Sequence, residues 1–263
     1  MQENVITSLA NSRVKRLVAL QQKSALRLSE GVFIVEGVRE LERCAAAGLE
    51  VVEVYYCPAI LPQPPAVTCS AVFEVTQAVY DKIAYRGSTE GVTAVVKTRH
   101  LTLDDIALGD APLIVVLESV EKPGNLGAVL RSADAAGATA VIVCDPLTDL
   151  YNPNLVRSST GAIFSVPCVA CSSEECITFL KDNGIAILTA QLQDSHLYYD
   201  TDMKRATAIV MGTEATGLTN AWREAADAHI RIPMLGTVDS LNVSVSAAIL
   251  LYEAVKQRQD LMQ

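Results

Sequence analysis

The second half of the chain alternates short apolar runs with helical stretches, and this alternation limits the possible folds more than any other feature. Five largely apolar runs are expected to be strands: 113–118, 140–144, 185–188, 208–211 and 230–232. Helices are predicted at 126–136, 152–159, 173–183, 219–227 and 242–257. Apolar strands separated by helices are typical of a parallel sheet in an α/β domain. Ligands of such sheets bind beyond the carboxyl ends of the strands.

The first half predicts a smaller α/β unit. Apolar residues at helical spacing indicate a helix within 11–28, and further helices are expected at 37–48 and 75–84. Short apolar runs predict strands at 32–35, 51–56 and 91–96, and the proline-rich segment 58–65 is expected to be a loop. The polar segment 97–112 separates the two halves. We therefore expect two domains, at 1–100 and 106–263.

Length and hydropathy exclude a membrane protein. The 263 residues suffice for one large domain or two ordinary ones. No apolar run reaches the roughly 18 residues that a membrane span needs, and the first residues lack the pattern of a secretory signal. A cytoplasmic protein is expected.

The seven cysteines predict buried, reduced thiols, because their number is odd and they are scattered through apolar segments. Cys168 and Cys171, with Cys176 nearby, have the alternative interpretation of a metal or redox site. A second ligand pair at zinc-finger spacing is missing, and the chain has three histidines. Structural cysteines and no metal are therefore the preferred interpretation.

The charge distribution is uneven. The chain has a net charge of −9, which is unusual for a protein that binds phosphates. Residues 1–30, however, contain five basic and two acidic side chains. An RNA-facing N-terminal arm and an ordinary solvated amphipathic helix both remain open.

Three polar loops that contain glycine follow predicted strands, and the first lies at 123–127. Gly124 and Gly127 permit close approach of the backbone, and Asn125 is expected to cap the following helix. The apolar stripe of that helix directs Arg131 away from its buried face. Taken alone, Arg131 would be explained by a surface pair with Asp134.

The second loop, 211–218, contains Gly212 and Gly217 around Glu214. Its glycine spacing is not GxGxxG, and it lacks the lysine of a P-loop. Glu214 is either a cap for the helix near 219 or a carboxylate that holds a basic partner, for which Arg131 is the candidate.

The third loop, 232–244, places Ser240 and Asn242 before the most apolar helix of the chain. Asn242 alone would be explained as a helix cap. The hydrophobic surface of the helix extends beyond one stripe, so we expect burial on several sides, within the core or in a dimer interface.

Together the three loops resemble the motifs of the SpoU/TrmH family of RNA ribose 2′-O-methyltransferases, in the same order and spacing. The resemblance covers 106–263 and implies a parallel sheet whose C-terminal segment threads a trefoil knot, an exception to the rule against knots. It further implies that S-adenosylmethionine binds in the knotted loops and that two subunits complete each site.

The resemblance also assigns roles to individual residues. It implies that Arg131 is the catalytic arginine, that Asn125 and Glu214 support it, and that Ser240 and Asn242 lie beside the reacting centre. The residues implied to bind the cofactor are Gly212, Glu214, Gly217, Ile232, Met234 and Leu241.

The first half resembles the small α/β substrate-binding domain that precedes the catalytic domain in many members. Residues 33–40 and 89–92 carry this resemblance. The side chains expected to contact RNA are Arg13, Lys15, Arg16 and Arg157.

The predicted reaction is methyl transfer from S-adenosylmethionine to a ribose 2′-hydroxyl, with ribosomal RNA favoured over transfer RNA as substrate. Because a guanidinium stays protonated in proteins, either an RNA phosphate assists the deprotonation of Arg131, or Arg131 orients the reactants while another group takes the proton.

Three other functions are weighed against this reaction. They are a transfer RNA methyltransferase, a noncatalytic RNA-binding protein on the same scaffold, and a nucleotide-dependent α/β enzyme. The intact polar residues of the three loops argue against the second, and the missing GxGxxG fingerprint argues against the third.

Overall fold

The computed structural model describes residues 4–87, 90–213 and 216–259, and these form two compact units. The first unit comprises the described residues up to Arg99 together with Asp149–Ser165. The second comprises His100–Thr148 and the described residues from Val166 onward. Each unit has its own β-sheet.

The strands of the two sheets, in chain order, are β1 (Val5–Ile6), β2 (Val32–Glu36), β3 (Val51–Tyr56), β4 (Cys69–Val75), β5 (Val92–Lys97), β6 (Leu113–Glu118), β7 (Ala140–Cys144), β8 (Cys168–Cys171), β9 (Ala186–Ala190), β10 (His196–Leu197), β11 (Thr207–Met211) and β12 (Ala228–Arg231). The α-helices are α1 (Ser12–Gln22), α2 (Ser24–Glu30), α3 (Val38–Ala46), α4 (Gln77–Ile83), α5 (Pro123–Ala135), α6 (Pro153–Ser158), α7 (Ala162–Ser165), α8 (Ser173–Asp182), α9 (Asn220–Ala225) and α10 (Val243–Gln259).

The first unit is built on a mixed sheet in the order β1-β4-β3-β5-β2. Strand β5 runs antiparallel to β2 and β3, whereas β4 runs parallel to β1 and β3. The strands expected at 32–35, 51–56 and 91–96 are confirmed as β2, β3 and β5. Strands β1 and β4 were not predicted from the sequence. Strand β1 has two residues, and β4 has only two buried side chains, Phe73 and Val75, and no strongly apolar run.

The helix expected within 11–28 is two helices, because the chain is extended at Lys23 between α1 and α2. Arg27, counted above among the basic side chains of this segment, is buried in α2. Its guanidinium pairs with Asp149 at 2.6 Å and donates to the Leu20 carbonyl oxygen, also at 2.6 Å. Arg27 therefore stabilises the first unit and is not available to RNA.

The segment Asp149–Ser165 packs with the first unit, whereas the sequence assigned it to the second domain. Val156 and Phe164 join the apolar cluster that surrounds Phe33 of β2. Arg43 of α3 donates to the Thr160 carbonyl oxygen at 2.6 Å. These contacts are remote in sequence, so the local pattern of 152–159 could predict the helix α6 but not its location.

A half-buried carboxyl group closes one end of β2. Glu36 accepts hydrogen bonds from the Tyr85 backbone N–H at 2.5 Å and from Gln21 Nε2 at 3.3 Å. Burial raises the pKa of Glu36 from 4.5 to about 7, and the Tyr85 hydrogen bond and the charge of Arg157 offset only part of this rise.

The second unit is built on a parallel sheet of seven strands in the order β10-β12-β9-β11-β6-β7-β8. The predicted parallel sheet is therefore confirmed. All five predicted strands are present, while β8 and β10 were missed because they have four and two residues. Within the described part of the chain, no helix combines the length and apolarity of a membrane span.

Candidate active site

Three loops meet where the strand order of the second sheet reverses. Strands β7 and β8 lie on one side of β6, whereas β11, β9 and β12 lie on the other. Parallel sheets bind ligands at such switch points, outside the carboxyl ends of the strands. The loops that follow β6, β11 and β12 are the three loops singled out in the sequence.

The first loop leads into α5, which begins at Pro123 with Lys122 as its N-cap residue. The expected cap role of Asn125 is therefore wrong, since Asn125 already lies in the first turn. Proline is favoured at the start of a helix because its fixed φ fits and its missing N–H costs nothing there. The Asn125 side chain instead points to the third loop, where its Oδ1 accepts a hydrogen bond from Asn242 Nδ2 at 3.2 Å.

The second loop is a tight turn after β11. The Gly217 N–H donates to the Thr213 carbonyl oxygen at 3.0 Å, and Thr216 N–H donates to Thr213 Oγ1 at 3.0 Å. A Cβ atom at Gly212 would lie 2.3 Å from the Gly217 carbonyl oxygen, so this turn requires glycine there. Gly217 has a φ of +68°, a region that also favours glycine. Glu214 lies outside the described residues, so its predicted roles stay predictions.

The third loop ends at Asn242, which has two structural roles. Its Oδ1 accepts hydrogen bonds from the Ser244 N–H at 3.0 Å and from Ser244 Oγ at 2.7 Å, so the residue caps α10, the role that Asn242 alone would suggest. Its Nδ2 donates to Asn125 of the first loop. Asn242 thus joins the first loop to the start of α10.

Two pockets are lined by residues of these loops. The first is lined by residues that include Asn125, Gly212 and Val243. The second is lined at the ends of β9 and β12 by residues that include Ile232, Met234, Ser240 and Leu241. The structure thus brings six predicted site residues to two pockets, whereas Gly217, Arg131 and Asn242 line neither.

Arg131 is exposed on α5 and makes no hydrogen bond or ion pair with any residue that the structure describes. Six residues separate it from Asn125 along one helix, which corresponds to about 9 Å of rise and roughly 120° of rotation. Arg131 therefore projects in a direction different from that of Asn125. The surface pair with Asp134, which would explain Arg131 without a functional role, is not present.

The four side chains expected to contact RNA all belong to the first unit. Arg13 pairs with Glu53 at 2.6 Å and lies over the Phe73 ring, and Arg16 pairs with both Glu53 and Glu30. Carboxylates thus offset part of their charge. The others are Lys15, which is exposed, and Arg157, which is exposed and donates to the Tyr85 carbonyl oxygen.

Sequence reasoning missed a buried carboxylate at the end of β6. Glu118 is 2% exposed and accepts hydrogen bonds from the Thr219 N–H at 2.9 Å and from Thr219 Oγ1 at 2.7 Å. These bonds fix the chain directly after the second loop. The signal was a single charged residue that closes an otherwise apolar strand.

Comparison with known proteins now decides the family. Residues 112–252 match the SpoU rRNA Methylase family, and residues 11–94 match the MRM3-like substrate binding domain. The chain belongs to the SpoU family. The family predicted from the three loops is confirmed, and with it the methyl-transfer reaction and S-adenosylmethionine as the methyl donor.

Relatives of this SpoU chain include two enzymes of ribosomal RNA. A 23S rRNA (guanosine-2′-O-)-methyltransferase of Vibrio vulnificus is 38% identical over 191 residues, which cover 70% of this chain and 77% of that enzyme. A 23S rRNA (uridine(2479)-2′-O)-methyltransferase of Streptomyces viridochromogenes is 39% identical over 173 residues, which cover 64% of this chain and 60% of that enzyme.

Solved structures resemble this SpoU chain along nearly its whole length. An RNA 2′-O ribose methyltransferase has a TM-score of 0.85 and 40% identity, and covers 97% of this chain and 99% of its own. An AdoMet-bound rRNA methyltransferase from Sinorhizobium meliloti has a TM-score of 0.87 and 29% identity, and covers 98% of both chains. The similarity therefore includes both units.

Proposed function

We propose that this chain transfers a methyl group from S-adenosylmethionine to a ribose 2′-hydroxyl of ribosomal RNA. The observation that carries the proposal is the meeting of the three loops at the switch point of the sheet, where Asn125 and Asn242 are hydrogen-bonded across 117 positions of sequence. A plain helix cap at either position would not need that bond.

The residues at the two pockets fit the cofactor. Ile232, Met234 and Leu241 offer apolar surface to an adenosine group. Gly212 lines the first pocket, and the adjacent Gly217 backbone leaves no room for a side chain at Gly212. When bound, S-adenosylmethionine supplies an electrophilic methyl group at its sulfonium. The loops hold this group in a fixed position, and proximity of this kind accounts for much of the rate of a two-substrate reaction.

Arg131 is proposed as the residue that orients the ribose hydroxyl and the adjacent RNA phosphate. Its planar guanidinium can bind a phosphate with two parallel hydrogen bonds. The side chain makes no ion pair with the rest of the described chain, so it is available to RNA. Since guanidinium groups stay protonated, this role is electrostatic, and Glu214 is proposed to support it.

A homodimer is proposed to complete the site. Val245 and Tyr252 on α10 are 47% and 51% exposed, and Leu235 in the third loop is 97% exposed. A second subunit would cover these side chains, which one chain leaves exposed. Because α10 packs against α5, the helix that carries Arg131, the partner's loops would lie near that helix.

The C-terminal segment is proposed to thread a trefoil knot. Strand β11 lies between β6 and β9, and α10 then packs against both α5 and β11. This path supports the knot that the family resemblance implies.

Ribosomal RNA is proposed as the substrate because the relatives described above act on 23S rRNA and the match includes a substrate-binding domain. One relative methylates guanosine and the other uridine, so the proposal names no base. Arg157 and Lys15, on the first unit, are proposed to contact the RNA backbone. Since the proposed substrate is ribosomal RNA, a cytoplasmic location is also proposed, together with a methyl-transfer reaction that uses no metal.

The test is incubation of the purified protein with radiolabelled S-adenosylmethionine and, in separate reactions, ribosomal RNA, transfer RNA and assembled ribosomal subunits. We expect label in ribosomal RNA, and loss of that label with Arg131→Ala. Label in transfer RNA alone would replace the proposed substrate. Failure to label any RNA and failure to bind S-adenosylhomocysteine would refute the function.

A further inference from the structure

Three thiols meet near the carboxyl ends of β7 and β8, and none of them lines either of the two pockets. Cys144 ends β7, Cys171 ends β8, and these two residues are direct partners in the parallel register. Cys176 lies in α8, and the sulfur atoms of all three residues are within 4.8 Å of one another. Cys144 and Cys176 are fully buried, while Cys171 is half-exposed. We call these three residues the thiol trio.

The spacing of the thiol trio fits a bound metal ion. A metal–sulfur distance of about 2.3 Å places the sulfurs of a planar three-coordinate site about 4.0 Å apart. The sulfurs lie at most 4.8 Å apart, so small side-chain rotations bring all three to a common ion. The half-exposed Cys171 gives the ion a path from solvent.

The neighbouring carboxylates of Asp145 and Glu175 are hydrogen-bonded to serines and are not members of the group of potential ligands. Asp145 Oδ2 accepts from Ser173 Oγ at 2.6 Å. Glu175 Oε2 accepts from Ser172 N–H and Ser172 Oγ at 2.8 and 2.7 Å. Among the described residues, no other histidine, cysteine, aspartate or glutamate joins the group.

We propose that Cys144, Cys171 and Cys176 form a binding site for a monovalent thiophilic metal ion, Cu(I). Soft thiolate ligands select Cu(I) and zinc over the hard cations, and structural zinc sites almost always require four ligands. Three sulfurs without a fourth protein ligand therefore favour the monovalent ion. Each coordinating thiol releases its proton to solvent, and no electron is transferred.

This assignment departs from the preferred sequence interpretation, which was structural cysteines without a metal, and it also involves different residues from the metal site that the sequence left as an alternative. Sequence spacing directed attention to Cys168 and Cys171, which lie three positions apart in β8 and so point to opposite faces of the sheet. The sheet instead pairs Cys171 with Cys144, which is 27 positions away in the sequence. Cys168 is therefore a matched control, since it is a cysteine of the same strand outside the thiol trio.

The experiment is a titration of the reduced full-length protein with Cu(I), in competition with a chromogenic Cu(I) chelator under anaerobic conditions. We expect one equivalent to bind. Cys171→Ser should weaken binding by at least about 100-fold, the upper range seen even for residues that merely support a metal ligand. Cys168→Ser should bind Cu(I) like the unmodified protein, and thermal unfolding checks that both variants are folded.

A second measurement needs no variant. Thiols of the unmodified protein are alkylated with and without one equivalent of Cu(I) and located by peptide mass spectrometry. We expect Cu(I) to protect Cys171 and to leave Cys69, a half-exposed cysteine of the other unit, unprotected. The proposal would be overturned if Cu(I) protected Cys171 and Cys69 equally from alkylation. It would also be overturned if both serine variants lost Cu(I) affinity equally, or if the protein bound Zn(II) more tightly than Cu(I).

Discussion

Substitution of Gly212 by alanine tests whether the turn after β11 holds the cofactor. The new Cβ would lie 2.3 Å from the Gly217 carbonyl oxygen and 2.4 Å from its carbonyl carbon. Ordinary van der Waals contact begins at 3.4 Å, so the backbone of the turn must move by about 1.1 Å. Backbone cannot rotate away as the end of a flexible side chain does.

The expected cost follows from this displacement. A misplacement of about 1 Å in a site that positions reactants lowers the rate on the order of 100-fold, equivalent to about 2.7 kcal/mol. We therefore expect Gly212→Ala to lose about two orders of magnitude in kcat/KM and to bind S-adenosylhomocysteine measurably more weakly. The assays are methyl transfer to ribosomal RNA and calorimetric titration with S-adenosylhomocysteine.

Two other glycines serve as controls. Added Cβ atoms at Gly236, in the third loop, and at Gly109, outside the site, would meet no described atom within 4 Å. Neither glycine has a φ in the left-handed region, so alanine fits both. Both alanine variants should bind S-adenosylhomocysteine normally. If Gly212→Ala binds it as tightly as these controls, the second loop does not shape the cofactor site.

Three further predictions concern Arg131, the dimer and pH. Arg131→Ala should lower kcat by about 100- to 1,000-fold and leave the affinity for S-adenosylhomocysteine unchanged. Arg131→Lys should restore only part of the rate, because lysine lacks the planar guanidinium. Full activity of the lysine variant would exclude a role for that planar group. Tyr252→Asp should bury an unpaired charge in the dimer interface at a cost of about 3–5 kcal/mol and so raise the dimer Kd by more than 100-fold. Leu28→Asp, at a 75% exposed residue of the other unit, should leave the dimer Kd unchanged. Sedimentation equilibrium measures both variants, and a monomeric unmodified protein would contradict the dimer. Glu36 keeps its proton to higher pH in the folded than in the unfolded chain, so the unfolding free energy should fall by up to about 3 kcal/mol as the pH rises from about 4.5 to about 7. Denaturant titrations should show a smaller fall for Glu36→Gln, and an identical pH profile would disprove this assignment.

The fold of the second unit was largely predictable from local patterns. Its central strands are buried on both faces, so each appears in the sequence as an apolar run between helices. The boundary between units was less predictable, because Asp149–Ser165 joins the first unit through contacts with Phe33 and Arg43. Spacing along the chain carries no information about such remote contacts.

Sequence patterns located the site better than they assigned its details. The three loops could be found because each follows a strand, but the bond between Asn125 and Asn242 depends on how the loops approach in space. Asn125 was wrongly expected to cap a helix that begins two residues earlier, at Pro123. Glu118 was overlooked because its partner Thr219 lies 101 positions away.

The most direct test of the central claim is the position of the transferred methyl group. Ribosomal RNA labelled by the protein would be hydrolysed in alkali, which requires a free 2′-hydroxyl next to each cleaved phosphate. Ribose 2′-O-methylation predicts that the label is recovered in alkali-resistant dinucleotides and that Arg131→Ala forms them at least about 100-fold more slowly. Label recovered in single nucleotides would place the methyl group on a base and would contradict the reaction proposed for this chain.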